Sequence, residues 1–149
     1  MEEFLNFLKM NNINVEFVET KSSRTVEESS EFVPKELIAK TLIFVDYNKN
    51  PFVVILMGEN KADFKKIKEF LNVKDVRLAN EKEVFEYSGF KVGAVTPIFF
   101  KKISTILIDK KVLEKEYVYC GGGKENLLMK INVKDILRIT NGKIGDFSK

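Results

Sequence analysis

The chain has 149 residues, 44% of them hydrophobic and 32% charged, which is typical of one ordinary globular domain. Its formal net charge of +3 is too small to indicate nucleic-acid binding by itself. It has no histidine and a single cysteine, Cys120, which excludes Ser-His-Asp and Cys-His catalysis, an intrachain disulfide and the usual zinc sites.

Hydrophobic periodicity and capping signals predict the elements of the first half of the chain. Thr25 with Glu28 is a capping box that opens a short helix, and Pro34 begins a further helical turn that leads to Leu37. Apolar, β-branched runs predict two strands joined by a turn. The predicted segments are a helix over 2–11, a strand near 15–18, a helix near 26–32, strands over 41–46 and 52–57, and a helix over 62–71.

The second half alternates short strands and short helices. Asn80 is a suitable N-cap for a helix that Gly89 would end. The predicted segments are strands at 75–78, 103–108, 117–120 and 127–131, and helices at 81–87 and 133–137. Because many crossovers are too short for βαβ units, the pattern favours an α+β fold with a mixed or antiparallel sheet.

Nothing in the sequence indicates a second domain, so we expect residues 1–149 to form a single one. The N-terminus lacks the pattern of a signal peptide, and the longest apolar runs are too short to span a bilayer. We therefore expect a cytoplasmic protein without membrane contact.

The charges are unevenly distributed along the chain. Residues 1–36 carry 4 basic and 8 acidic side chains, whereas residues 37–149 carry 21 and 14. The stretch 61–77 alone has 6 basic and 3 acidic residues. Two interpretations stay open: a solvated lysine and glutamate surface, or contact with a polyanion such as RNA. With only three arginines, an RNA partner would be recognised by its backbone and one end rather than by its base sequence.

Two short motifs could carry chemistry. Lys40-Thr41 lies at the mouth of an apolar strand, where it is either a solvated strand end or a cation that anchors a phosphate or polarises an ester. The segment Gly93-Ala94-Val95-Thr96-Pro97 is either a plain loop or one whose glycine permits close backbone approach to a ligand, with its shape fixed by proline.

The glycine cluster Gly121-Gly122-Gly123-Lys124 is not a P-loop, because the Gly-Lys-Ser/Thr spacing is absent and strands are predicted on both sides. We interpret it as a tight strand-to-strand connection, or as the backbone-lined edge of a pocket.

Together, the order and spacing of these motifs resemble the YbaK/prolyl-tRNA editing-domain family. The resemblance extends from about Thr25 to Asp146 and is most specific at Lys40-Thr41, at the Gly-x-x-x-Pro of 93–97, at Asp109 after an apolar strand, and at the glycines 121–123. Members hydrolyse mischarged proline tRNA, either as free-standing proteins or as a domain inserted in prolyl-tRNA synthetase.

The resemblance implies a compact, partly barrel-like mixed sheet with surrounding helices, and a hydrolase that removes alanine or cysteine from proline tRNA without a metal or other cofactor. It assigns a catalytic role to Lys40 and Gly93. The residues that it places at the substrate are Thr41, Ala94, Thr96, Pro97, Asp109, Gly121 and Gly122.

The chain departs from the family at Ala94, where many members have a second glycine, and no motif assigns pocket residues to the first 24 positions. The implied partners are the acceptor end of tRNA and, as an open alternative, prolyl-tRNA synthetase. A different class of function also stays open: a non-catalytic module that only binds tRNA or a synthetase.

Overall fold

Two β-sheets and five α-helices form the fold in the computed structural model, which describes residues 1–149. The helices are α1 (Glu2–Met10), α2 (Val26–Ser29), α3 (Phe64–Leu71), α4 (Glu81–Ser88) and α5 (Val133–Thr140). The strands are β1 (Val15–Glu19), β2 (Ala39–Asp46), β3 (Pro51–Met57), β4 (Val76–Leu78), β5 (Ile106–Asp109), β6 (Tyr117–Gly121), β7 (Leu127–Asn132) and β8 (Lys143–Gly145). Short 3₁₀ helices cover Lys35–Leu37 and Lys110–Glu114.

The larger sheet is mixed and has the strand order β4-β2-β3-β5-β8. Strands β4, β2 and β3 pair antiparallel, whereas β3, β5 and β8 pair parallel. The smaller sheet is antiparallel, with the order β1-β7-β6. A single parallel bridge between Ile38 and Tyr119 joins the two sheets. This arrangement confirms the predicted α+β class with a mixed, partly barrel-like sheet.

Both faces of the larger sheet are covered, because successive side chains of a strand point to opposite sides. On one side, Ala39, Ile43 and Ile55 belong to the main core between the two sheets. On the other side, Phe44 and Leu56 belong to a second core cluster that α3 closes. Strand β3 is therefore buried along almost its whole length, as its continuous apolar run predicted.

Thr25, Asn80 and Gly89 cap helices at the positions that the sequence predicted. The Thr25 side chain accepts a hydrogen bond from the Glu28 amide, and the Glu28 carboxylate accepts one from the Thr25 amide. Asn80 and Glu83 form the same reciprocal pair at the start of α4. Gly89 ends α4 with φ of 86°, a left-handed conformation that glycine adopts without steric cost.

Several boundaries differ from the predictions, including the end of α2 at Ser29 rather than near residue 32. Strand β5 begins at Ile106 rather than Ile103, and α5 extends to Thr140. Strand β8 was not predicted, because three residues that pair with β5 in parallel leave no alternating apolar pattern in the sequence. None of the helices combines the length and the apolar composition that a membrane-spanning segment requires.

Candidate active site

A cavity of about 390 Å³ lies between the two sheets, at one end of the main core. That volume falls in the range of small-molecule sites. Four of the residues singled out in the sequence line it: Lys40, Thr41, Gly93 and Gly121. The fold thus brings together positions from β2, from the loop after α4 and from the end of β6, which are far apart along the chain.

Lys40 is half-buried on β2 and contributes the lysine of this cavity. Burial lowers the pKa of its ammonium group, Glu27 acts in the opposite direction, and Lys61 lowers the pKa further. A lysine whose pKa is depressed by partial desolvation holds a less hydrated charge, which interacts more strongly with a phosphate or a developing oxyanion.

Gly93 has φ of 88°, which L side chains rarely adopt. A Cβ built on Gly93 would lie 2.9 Å from the Arg24 Cα atom, so the segment before α2 packs directly on the glycine backbone. Any larger residue here would displace Arg24, which also lines the cavity.

Gly121 lies at the opposite wall, at the end of β6. A Cβ at this position would overlap the carbonyl oxygen of Val95, which belongs to the Gly93 loop. The two glycines therefore let three backbone segments approach one another around the cavity, and the loop has little freedom to move away from it.

Apart from Val95, the remaining residues of the Gly93 loop lie behind the cavity wall and fix its shape. Ala94, Thr96 and Pro97 are buried and do not line the cavity. The Thr96 hydroxyl accepts a hydrogen bond from the Phe99 amide at 3.1 Å, which holds the turn. Gly122 belongs to the β6–β7 connection, where its amide donates to the Leu127 carbonyl, as expected of a tight strand-to-strand link.

Asp109 does not reach this cavity. It is fully buried at the end of β5, where its carboxylate accepts hydrogen bonds from the amide of Phe147 at 2.7 Å and from the amide of Lys111 at 3.2 Å. It thus caps the 3₁₀ helix that follows and holds the C-terminal segment in place. Asp109 therefore has a structural position outside this cavity, and its predicted place at the substrate stays a prediction.

Sequence reasoning left several cavity residues unassigned. Ser23 and Arg24 come from the segment for which no motif could be placed, and they form one rim together with the start of α2. The apolar side comes from β4, α4, β6 and β7. Its members include Leu78, Ala79, Val84, Cys120 and Leu128. The only sequence signal in this region is the capping box at Thr25. It predicts a helix but does not indicate that the helix borders a cavity.

Cys120 lines the cavity but has the character of a packing residue. Its thiol is buried and donates a hydrogen bond to the Met129 carbonyl at 3.4 Å. Burial raises the pKa of this thiol far above its usual range, so the reactive thiolate form is strongly disfavoured.

Comparison with known sequences identifies the family of the chain. A family model for the aminoacyl-tRNA editing domain matches residues 20–139. The chain belongs to the aminoacyl-tRNA editing domain family. The match includes every cavity-lining residue, from Ser23 to Leu128.

Individual relatives of this editing domain are of two kinds. The proline–tRNA ligase of Pseudothermotoga lettingae is 30% identical over 115 residues, which are 75% of this chain and 20% of the ligase. An Enterococcus faecalis protein named "Putative Cys-tRNA(Pro)/Cys-tRNA(Cys) deacylase EbsC" is 25% identical over 127 residues, 85% of this chain and 77% of that protein. The chain spans about a fifth of the length of the ligases that it matches.

Solved structures share the whole architecture of this editing domain. The protein described as "hypothetical protein APE2540" is 28% identical, with a TM-score of 0.89 over 99% of both chains. A protein described as a "putative trans-editing enzyme for prolyl tRNA synthetase" has a TM-score of 0.86 at 24% identity, covering 99% of this chain and 96% of that one. The second likeness supports the fold alone.

Proposed function

We propose that this editing domain is an aminoacyl-tRNA deacylase that acts in trans on mischarged proline tRNA. The convergence of Lys40 and the Gly93 loop on one cavity carries the proposal. Family membership supports it, as do the ligase and deacylase relatives. Charged tRNA as the substrate also suggests a cytoplasmic location.

The reaction is hydrolysis of the ester that joins the amino acid to the terminal ribose. Water adds to the ester carbonyl, the bond to the ribose oxygen breaks, and a free amino acid and an uncharged tRNA are released. Such an ester is already activated, so the protein has only to position it and stabilise the developing charge. As the family resemblance implies, the neighbouring ribose hydroxyl and backbone groups would hold the attacking water.

Lys40 and the Gly93 loop have different roles in this scheme. The Lys40 ammonium holds the phosphate or ribose of the acceptor end, or stabilises the oxyanion, from the mouth of the cavity. The Gly93 loop limits the size of the amino acid, because Gly121 and Arg24 pack against it and prevent it from yielding. A small side chain would fit, and prolyl-tRNA would be spared.

The test is deacylation of proline tRNA charged with alanine, cysteine, serine or proline, with protein far below substrate. We expect multiple turnovers on the small amino acids and almost none on prolyl-tRNA. The Lys40→Ala variant serves as the control for contaminating hydrolases. Fast cleavage of prolyl-tRNA would contradict selection by size.

A binding module would give a different result in the same experiment. It would protect mischarged tRNA in proportion to the protein added and would show no turnover. We also propose that prolyl-tRNA synthetase delivers the tRNA to the editing domain. If so, adding the synthetase to the same assay should raise the rate of deacylation.

A further inference from the structure

We propose that the Thr41 hydroxyl recognises the side chain of the amino acid by a hydrogen bond. The cavity would then prefer seryl and cysteinyl esters to an alanyl ester of similar size. This inference rests on the proposed deacylase function. The Thr41 Oγ1 atom is buried and has no hydrogen-bond partner in the protein, although Thr41 lines the cavity.

The position of Thr41 on β2 directs its side chain inward. Ala39 and Ile43, two residues to either side, belong to the main core between the sheets, so Thr41 shares their face of the strand. Lys40, the preceding residue, points to the other face of the strand, is half-buried and also lines the cavity. A substrate whose phosphate or ribose is held near Lys40 therefore presents its innermost group, the amino-acid side chain, to Thr41.

The strand is open where the substrate would enter. Strand β4 pairs only with residues 44–46 of β2, and β3 occupies the opposite edge along 39–45. Residues 40–42 thus have a neighbouring strand on one side only. A ligand can approach Thr41 from this edge without displacing a strand.

Two polar side chains of the cavity wall already have partners of their own. The Cys120 thiol donates to the Met129 carbonyl, and the Ser23 hydroxyl donates to the Glu125 carbonyl at 2.7 Å. The facing walls are aliphatic, from Val84, Val95 and Leu128. The protein therefore leaves the Thr41 hydroxyl without a hydrogen-bond partner, and a bound ligand can supply one.

A serine side chain can both donate to and accept from Thr41, a thiol can do so weakly, and a methyl group cannot do so at all. A bound alanyl ester would leave the Thr41 hydroxyl without a partner, as it is in the free protein. Sites built to hydrogen-bond a substrate group discriminate against analogues that lack it. We expect serine to exceed alanine by about tenfold in kcat/KM, with cysteine between them.

The test is the near-isosteric Thr41→Val variant, assayed with seryl, cysteinyl and alanyl esters on the same tRNA. We expect kcat/KM for the seryl ester to fall about tenfold while the alanyl ester is cleaved at an unchanged rate. Thr41→Ser keeps the hydroxyl and should retain the preference. Equal losses on all three esters would overturn the inference, since Thr41 would then contact a part that the substrates share.

Thr20 provides a matched control. Its Oγ1 atom is also buried without a partner, but Thr20 does not line the cavity. Thr20→Val therefore removes the same kind of hydroxyl and should leave the ratio of seryl to alanyl cleavage unchanged. A change equal to that of Thr41→Val would show that the ratio reflects general packing, and would overturn the inference.

A binding measurement separates this inference from the proposed function. Non-hydrolysable 3′-amide analogues of seryl- and alanyl-adenosine can be titrated into wild-type protein and into Thr41→Val. Preference for the seryl analogue that Thr41→Val abolishes would support the role of Thr41 even if the wild type cleaved no ester. Equal affinity for both analogues, together with normal cleavage, would overturn the inference and leave the deacylase intact.

Discussion

Lys40 combines two properties that rarely occur together on a strand: a charged head and partial burial. Burial is the largest influence on its pKa and lowers it, and nearby Glu27 compensates in part. The protonated form is present below that lowered pKa and is lost as pH rises through it. If the charge contributes to catalysis, that contribution must disappear at a lower pH than for an ordinary lysine.

The lowered pKa of Lys40 can be tested with two variants. Lys40→Ala should reduce kcat/KM by roughly a hundredfold, as expected for loss of one electrostatic contact in the transition state, without unfolding the protein. Lys40→Arg, which stays charged at any accessible pH, should shift the alkaline loss of activity to higher pH. The measurement is a pH–rate profile with spontaneous ester hydrolysis subtracted. Identical alkaline limbs for wild type and Lys40→Arg would remove the Lys40 charge from the mechanism.

Gly93 and Gly89 form a natural pair for separating backbone strain from lost space. Their φ values are 88° and 86°, so an alanine pays about the same conformational cost of 1–2 kcal/mol at either position. They differ in surroundings, because a Cβ at Gly93 meets Arg24 at 2.9 Å whereas one at Gly89 lies 3.6 Å from Lys101.

We therefore expect Gly89→Ala to lower the free energy of unfolding by about 1 kcal/mol with normal deacylation. Gly93→Ala should be less stable still and should lose activity, because it displaces the segment that forms the cavity rim. Urea titration and deacylation at a temperature where both variants are folded measure the two effects. Normal activity in Gly93→Ala would show that the loop does not define the cavity.

At the level of elements, Asp109 joins three parts of the chain: the end of β5, the 3₁₀ helix after it and the segment 146–149. Its carboxylate accepts from the Phe147 amide and lies 3.4 Å from the Ser148 hydroxyl. The arrangement positions the tail beside α3, where the Phe147 and Phe70 rings meet edge to face. We therefore expect Asp109 to influence the cavity only through the stability of the fold.

Replacing Asp109 with alanine should leave the buried Phe147 amide without its partner. We expect a loss of about 1–3 kcal/mol in the free energy of unfolding, but a normal kcat/KM per folded molecule. Asp146→Ala is a suitable control, because that carboxylate is exposed and its ion pair with Lys66 should contribute little. A fall in kcat/KM with unchanged stability would instead restore Asp109 to the substrate site.

Local signals predicted the elements well because their causes are local. The caps of α4, at Asn80 and Gly89, depend on bonds within a few residues. The cavity depends on contacts between distant segments, such as Arg24 against Gly93, which no periodicity reveals. Asp109 shows the converse: an acidic residue after an apolar strand suits a functional site and a structural cap equally, and only its burial and partners distinguish them.

Across the whole molecule, few charges are free to bind a phosphate near the cavity. All three arginines are paired with carboxylates: Arg24 with Glu81, Arg77 with Glu83, and Arg138 with Asp135. The pairing with Arg77 lowers the pKa of Glu83 to about 2, so that pair stays ionised at neutral pH. Phosphate contacts therefore fall mainly to lysines, which bind as point charges and carry no sequence information.

This distribution sets the expected salt dependence of tRNA binding. Each single-stranded phosphate contact contributes a slope of about −0.7 to log K against log salt, so a few lysine contacts at the acceptor end give roughly −1 to −3. Fluorescence anisotropy with a labelled acceptor minihelix over a salt series measures the slope, and Lys40→Ala should make it shallower by about 0.7. Lys134→Ala, a control on α5 that does not line the cavity, should leave it unchanged. A slope near −10 would require an extended RNA-binding face, and the lysines of α3 would then be the first to test.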